Sequence, residues 1–333
     1  MTNLIVSNTC NLNCAYCFAR DSLQASLESY ASHFISLDAF SDRLAFLERS
    51  DVGEIRLLGG EPTLHPKFPE LVAMAMTQRK PVVIFSHGLL SEQALACLEV
   101  LPVEQCTVLV NMNATHGAEF AKREQNKRRD VLRRLGPRAM LGFNIFKASF
   151  DLNFLLPLIL DVNCRPSIRL GLAHPALFGR NEHLHPKQYP IVGHQIANFA
   201  NVAAKAGVRL EFDCGFVRCM FSNSDFEILH QTHADIGWRC NPILDIDLDG
   251  HVYHCFPLAS KVQRYLSKSC IAADLRESML EQTQLHRQAG IYRECSTCLL
   301  KQNAECMGGC LAHAMMRFQP AGIHIGVPKN ILN

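Results

Sequence analysis

The sequence predicts an α/β protein in two parts. A sheet of six parallel strands, open or curled into a partial barrel, is followed by a small cysteine-rich α+β domain with a β-hairpin. Three observations predict this. Short apolar runs alternate with helix-like stretches over residues 3–173. The rhythm breaks after Pro175, in a loop rich in His, Pro and Asn. Nine of the 15 cysteines then crowd between residues 214 and 310.

The strand candidates are "LIVSN" (4–8), "EIRLLGG" (54–60), "VVIFSHG" (82–88), "TVLVNMN" (107–113), "MLGFNIF" (140–146) and "SIRLGLAHP" (167–175). Between them run helical stretches at 36–49, 68–79, 91–99, 116–135 and 151–163. Short, near-continuous apolar runs are what parallel strands covered on both faces look like. Alternating strands and helices imply a parallel sheet, which binds ligands at the carboxyl ends of its strands. Polar residues gather at those ends, among them Glu61, His87, Asn111, Asn113 and Asn144. A helix over 191–206 and a strand "VRLEFDCG" (208–215) lead onward. The divisions expected are 1–180, 181–214 as a linking helix and strand, and 215–333.

Charge narrows the partners. Lys+Arg 33 against Asp+Glu 31 leaves a net charge of +2, so neither a nucleic acid nor an anionic surface is called for. The basic stretch 119–137 reads as a solvated helix face closed by Gly136-Pro137, because acidic residues interleave. No apolar run reaches membrane-spanning length, and "MTNLIVSN" lacks the pattern of a secretory signal. A cytoplasmic protein is therefore expected, where clustered cysteines act as metal ligands or redox groups. Cys97, Cys106 and Cys164 stand singly in apolar segments and read as small buried hydrophobes.

The first cysteine cluster is "TCNLNCAYCFARD" at 9–21, with Cys10, Cys14 and Cys17 spaced C-x3-C-x2-C just after the first strand. Three thiolates can hold an iron–sulfur cube and leave one iron open. Structural zinc would want a nearby fourth ligand, and none follows before His33. A second motif, "LLGGEP" (57–62), ends the second strand. Its Gly59 and Gly60 permit close backbone approach, and Glu61 can take an ammonium group.

These motifs resemble the radical SAM superfamily. The resemblance implies a partial (β/α)6 barrel and a 4Fe–4S cluster on Cys10, Cys14 and Cys17. S-adenosylmethionine would chelate the open iron, with its amino group held by the Gly59-Gly60-Glu61 motif; Tyr16, the aromatic before the last cysteine, also matches the family and is a cofactor-binding candidate. Asn111, Asn113, Asn144 and Arg169 are further cofactor-binding candidates, each equally readable as a satisfied strand-end polar group. The implied chemistry is reductive cleavage to a 5′-deoxyadenosyl radical that abstracts a substrate hydrogen. An electron donor such as flavodoxin or ferredoxin would be a partner.

The C-terminal third carries C-x9-G-x4-C from Cys240 to Cys255, then C-x2-C-x7-C-x3-C at Cys295, Cys298, Cys306 and Cys310. "ILDIDLDGHVYHC" alternates like a hairpin with Asp249-Gly250 at its turn, and 277–290 reads as a helix. The aspartates there do not make a calcium loop, since its twelfth position is Phe256. The region resembles the SPASM/twitch extension, which implies one or two auxiliary 4Fe–4S clusters. Carried over, the pattern assigns Cys219, Cys240, Cys255 and Cys310 to one, and Cys295, Cys298 and Cys306 to the other. The x7 spacing replaces the usual x5, and no cysteine follows Cys310. His313, Cys270, Cys214, an open iron or a single auxiliary cluster all remain readings of the missing ligand.

Enzymes with this extension commonly modify peptides by crosslinking, epimerisation or oxidation, so a peptide substrate is expected. A small-molecule or carrier-bound substrate is the alternative, and a non-catalytic zinc-binding adaptor is the rival of another class. No leader-binding domain is expected ahead of a strand that begins at residue 4. Cys214, Asp213 and His87 are the candidates for a hydrogen donor or base.

Overall fold

Seven parallel strands carry the computed structural model, which describes residues 1–21, 33–114, 118–177, 179–234 and 236–319. They are β1 (Asn3–Ser7), β2 (Ile55–Gly59), β3 (Val82–Ser86), β4 (Cys106–Asn111), β5 (Ala139–Ile145), β6 (Ser167–Leu172) and β7 (Arg209–Phe212). Each pairs with the next in order, so the strand expected at 208–215 joins the six as the seventh of the same sheet. Among the described residues it is open, with β7 at one end of the order, and no closed barrel is formed. Helices α1 (Leu37–Arg49), α2 (Phe68–Thr77), α3 (Glu92–Glu99), α4 (Ala118–Leu135), α5 (Leu155–Val162) and α6 (Tyr189–Lys205) connect the strands. Residues 116–117 of the expected helix 116–135, and 320–333 of the C-terminal division, lie outside the described residues.

Local chemistry sets the helix starts. The side chains of Ser36 and Ser91 accept the N–H groups of Ala39 and Ala94, satisfying donors the first turn leaves over. The helices bury one stripe each, as in α1 with Phe40, Leu44 and Leu47.

β1 is buried on both faces as expected, but β3 and β4 depart from that expectation. In β3 and β4 buried residues alternate with half-buried ones. Val82, Ile84, Val108 and Val110 face the helices, while Val83, Phe85, Thr107, Leu109 and Asn111 line the other, partly open face. That second face is itself largely apolar, which is why the runs read as continuous.

The cysteine-rich part extends the same sheet. Its strands β8 (Asp245–Ile246), β9 (His251–Tyr253) and β10 (Gln263–Tyr265) add on beyond β1. β8 runs parallel to β1, with Asn3 opposite Asp245, and Asn3 Nδ2 donates to Asp245 Oδ1 at 2.6 Å. The hairpin turn is built by Asp247, whose Oδ1 accepts the N–H groups of Asp249, Gly250 and His251 at 2.8–3.0 Å. Gly250 adopts φ 96°, which favours glycine. Helices α7 (Asn223–Gln231), α8 (Ala272–Ala289), α9 (Leu299–Gln302) and α10 (Leu311–Met316) complete the region. One buried apolar cluster reaches from Leu4 to Ala314 and joins both parts.

The basic helix also departs from its solvated reading. Most of its charges are exposed, but Arg128 is fully buried. Its Nε donates to the His87 carbonyl at 2.7 Å and its Nη1 to the Asn113 carbonyl at 3.3 Å, with Glu124 Oε2 at 3.5 Å.

Candidate functional site

The ends of β1 and β2 are pressed together. Gly60 N–H donates to the Ser7 carbonyl at 2.7 Å, and Glu61 N–H to the Thr9 carbonyl at 2.8 Å. A Cβ on Gly59 would sit 2.1 Å from the Ser7 oxygen, and one on Gly60 would sit 2.3 Å from the Thr9 oxygen. Only glycine allows that approach, and it sets Glu61 directly beside the cysteine loop.

In that loop Cys10 is exposed while Cys14 and Cys17 are half-buried, and Cys17 N–H closes a turn onto the Cys14 carbonyl at 3.1 Å. Although Cys10 reaches the surface, partial desolvation of its thiol pushes it up to about 11, and Glu61, Cys14 and Cys17 add to the effect. Among the described residues no three of His, Cys, Asp and Glu converge tightly enough for one metal ion. A four-iron cube takes its thiolates at separate irons, so three neighbouring but unconverged thiols fit a cluster better than a single zinc.

Glu61 is buried and oriented. Its Oε1 accepts Thr63 N–H and Oγ1–H at 3.2 and 2.7 Å, and its Oε2 accepts His87 N–H at 2.9 Å. The His87 ring follows: Nδ1 accepts Leu89 N–H at 3.0 Å, which leaves the proton on Nε2 in the neutral ring. Nε2 lies 2.7 Å from Asn11 Oδ1 and 3.3 Å from Glu61 Oε2. Burial lowers the His87 pKa, against the opposing pull of Glu61.

The other candidates lie along the strand ends. The Tyr16 hydroxyl accepts from Asn111 Nδ2 and packs its ring 5.0 Å from Phe146. The Asn113 side chain is spent on structure, since it pairs with both the N–H and the carbonyl of Asn144 at 2.7 and 2.9 Å. Asn144 Nδ2 reaches Asn111 Oδ1 at 3.4 Å, and its own oxygen lies against Gly171. Arg169 binds Asp213 at 2.8 Å and covers the Phe85 ring at 5.2 Å. Burial opposes the Asp213 charge, but Arg169 outweighs it and holds the carboxyl below its usual range. Asp213 Oδ1 also accepts Cys214 N–H at 3.0 Å, so these two candidates form one unit with Arg169. His87 stands apart from them, with Glu61.

Three contributors escape sequence reasoning. Arg128 ties the loops after β3 and β4 through the His87 and Asn113 carbonyls. Asn11 orients His87. Asn181 Nδ2 bridges the Tyr16 and His174 carbonyls at 3.2 and 2.8 Å, fastening the cysteine loop to the end of β6.

In the C-terminal region, Leu311 N–H donates to Cys240 Sγ at 3.4 Å, beside Cys310. Gly215 N–H binds the Arg239 carbonyl at 3.3 Å, and Cys310 Cβ lies 3.4 Å from where a Gly215 Cβ would be. Burial, then Cys240, Cys310, Asp245 and Cys214, raise the Cys255 thiol well above its ordinary range. Cys219 instead neighbours Cys306, Cys295 and Cys298; it reaches the surface, but partial desolvation of its thiol and then these neighbours push it up to about 11. Cys270 donates to the Ser267 carbonyl at 3.1 Å. His313 is buried among the rings of His174, His183 and Tyr189.

Residues 4–137 match the family described as Radical SAM superfamily. GTP 3′,8-cyclases are relatives: that of Chlorobaculum tepidum is 33% identical over 97 residues, and that of Synechocystis sp. 29% identical over 142. These alignments cover 28% and 42% of this chain and the same shares of the relatives' own lengths. Among solved structures, SuiB of Streptococcus suis bound to S-adenosylmethionine has a TM-score of 0.69 at 13% identity, covering 96% of this chain and 75% of that one. SuiB is also described bound to its precursor peptide SuiA, with a TM-score of 0.58 at 12% identity, covering 82% and 64%. anSMEcpe with bound AdoMet has a TM-score of 0.64 at 17% identity, covering 93% and 88%. At such identities the likeness is one of fold. The glycine-enforced meeting of the three-cysteine loop with Glu61 lies inside the matched segment, and this chain carries a radical SAM domain.

Proposed function

We propose that this chain is a radical SAM enzyme that modifies a peptide substrate. Cys10, Cys14 and Cys17 would hold a 4Fe–4S cluster, with S-adenosylmethionine against Gly59, Gly60 and Glu61. When bound, the pair supplies a 5′-deoxyadenosyl radical that takes hydrogen from an unactivated carbon. The chain's own part is placement. Thr63 and His87 fix the Glu61 carboxylate so that it can receive an ammonium group. Asn111 and Asn144 present amides at neighbouring strand ends. The apolar partly open face around Phe85 and Leu109 offers a lining that excludes water from the reacting centre. Arg169, held by Asp213, is a charged group on that lining suited to a carboxylate or a peptide carbonyl.

One observation carries the peptide reading: the likeness to SuiB, itself described with a precursor peptide, extends over 96% of this chain and so includes the cysteine-rich part. The cyclase relatives favour a second reading, a small-molecule substrate, although their likeness is confined to 28% and 42% of the chain. Iron–sulfur-loaded protein, reduced with flavodoxin, ferredoxin or dithionite, is assayed for 5′-deoxyadenosine. Stimulation by a peptide fraction of the host extract, with a mass change in one peptide, supports the first reading. Stimulation by the small-molecule filtrate alone sinks it in favour of the second. Iron-free, colourless protein carrying zinc sinks both.

A further inference from the structure

We propose that the chain binds two further clusters through four thiolates each: Cys214, Cys240, Cys255 and Cys310 hold one, and Cys219, Cys295, Cys298 and Cys306 hold the other. The inference rests on the iron–sulfur reading above. It reassigns Cys219, which sequence order placed with Cys240, and it supplies the ligand that the set of three lacked.

The backbone brings each set together. For the first, Gly215 N–H on the Arg239 carbonyl holds Cys214 alongside Cys240, and Cys310 packs against Gly215. Leu311 N–H already points at Cys240 Sγ, the kind of donor that stabilises a cluster thiolate. Cys240, Cys310 and Cys214 are near enough to act on the Cys255 thiol.

For the second set, Ile291 N–H binds the Gly308 carbonyl at 3.0 Å, which lays the Cys295 segment along the Cys306 loop. Cys295 Sγ fills the place of a Gly290 side chain, and Val217 Cγ1 lies 2.9 Å from where a Gly309 Cβ would be. That contact carries the Val217–Cys219 turn onto the same loop, where Cys306, Cys295 and Cys298 are near enough to act on the Cys219 thiol. Gly308 N–H lies 3.4 Å from Cys306 Sγ. Cys214 and Cys219 thus leave one short loop for opposite sets. The buried Tyr189 has members of both sets nearby, Cys310 and Cys214 of one and Cys219 of the other.

The sets differ in exposure. Cys240 and Cys310 are buried and Cys214 and Cys255 half-buried, whereas in the second set Cys306 alone is buried, with Cys295 and Cys298 half-buried and Cys219 exposed. The other readings fare worse. Cys270 is engaged with Ser267, and His313 sits among histidine and tyrosine rings.

The test is cysteine alkylation of anaerobic, iron-loaded protein, read by mass spectrometry together with iron content. In the wild type all eight thiols are expected to be protected, with Cys270 labelled as the control. Cys298→Ala should lose about four irons and expose Cys219, Cys295 and Cys306 to labelling, while Cys214, Cys240, Cys255 and Cys310 stay protected. That protection also reports that the variant folds. Cys255→Ala should do the reverse, freeing Cys214 and leaving Cys219 protected. Labelling of Cys219 with Cys240 and Cys310, or of either loop cysteine in the wild type, overturns the assignment while leaving the N-terminal cluster reading intact. A wild-type protein without iron overturns both.

Discussion

Replacing Gly60 with alanine tests the central contact of the site. The added Cβ would lie 2.3 Å from the Thr9 oxygen, 2.6 Å from its carbonyl carbon and 2.9 Å from the Cys10 nitrogen. All three are backbone atoms, so no rotamer change relieves the clash. The cysteine loop must retreat from β2 by most of an ångström, which breaks or lengthens the Gly60–Ser7 and Glu61–Thr9 hydrogen bonds of 2.7 and 2.8 Å. Losing two buried backbone bonds costs about 2–4 kcal/mol. The functional loss should be larger, because displacing a binding group by that distance costs on the order of 10²-fold in rate. The assay is 5′-deoxyadenosine formation by iron-loaded G60A protein, with S-adenosylmethionine binding measured by equilibrium dialysis and near-ultraviolet circular dichroism as the folding control. Folded G60A that binds and cleaves S-adenosylmethionine within about threefold of wild type refutes the idea that this approach positions Glu61.

Arg128→Met should destabilise the protein by about 3–5 kcal/mol in urea unfolding, since it removes a buried guanidinium from Glu124 and from two loop carbonyls; a cost under about 1 kcal/mol would show that the fold does not lean on it. Ser222→Ala, which removes the reciprocal cap with Asp225 at the start of α7, should cost about 1 kcal/mol by the same measurement. His65 gives a pH signature. Burial lowers its pKa despite the Ile35 carbonyl, and the neutral ring uses both nitrogens, on Ile35 O at 2.8 Å and Lys67 N–H at 3.0 Å. A depressed folded pKa makes its contribution complete above the unfolded value of about 6.5 and lost as pH falls through the folded value. The stability gap between wild type and His65→Gln should therefore narrow on acidification below about pH 6.5; a gap that widens contradicts the neutral assignment.

The sequence by itself determined whatever is encoded locally. Six parallel strands, their helices and the hairpin turn at Gly250 lie where the apolar runs and turn residues put them, because periodicity and capping act over a few residues. The three-cysteine loop and the Gly59-Gly60-Glu61 turn were legible for the same reason. Tertiary structure decided the rest. Arg128 sits in a run of charges that reads as solvated, and only the packing of α4 over the loops after β3 and β4 buries it. Phe85, Leu109 and their neighbours look like core because they are apolar, yet they line the partly open face. The hairpin joins the main sheet because the free edge of β1 needs hydrogen-bond partners, which a strand more than 200 residues away supplies. The partition of the thiols is decided in the same way. Spacing shows which cysteines are close in the chain, but Cys214 and Cys219, five positions apart, turn towards different neighbours because the Arg239 carbonyl holds one end of their loop and Gly309 receives the other.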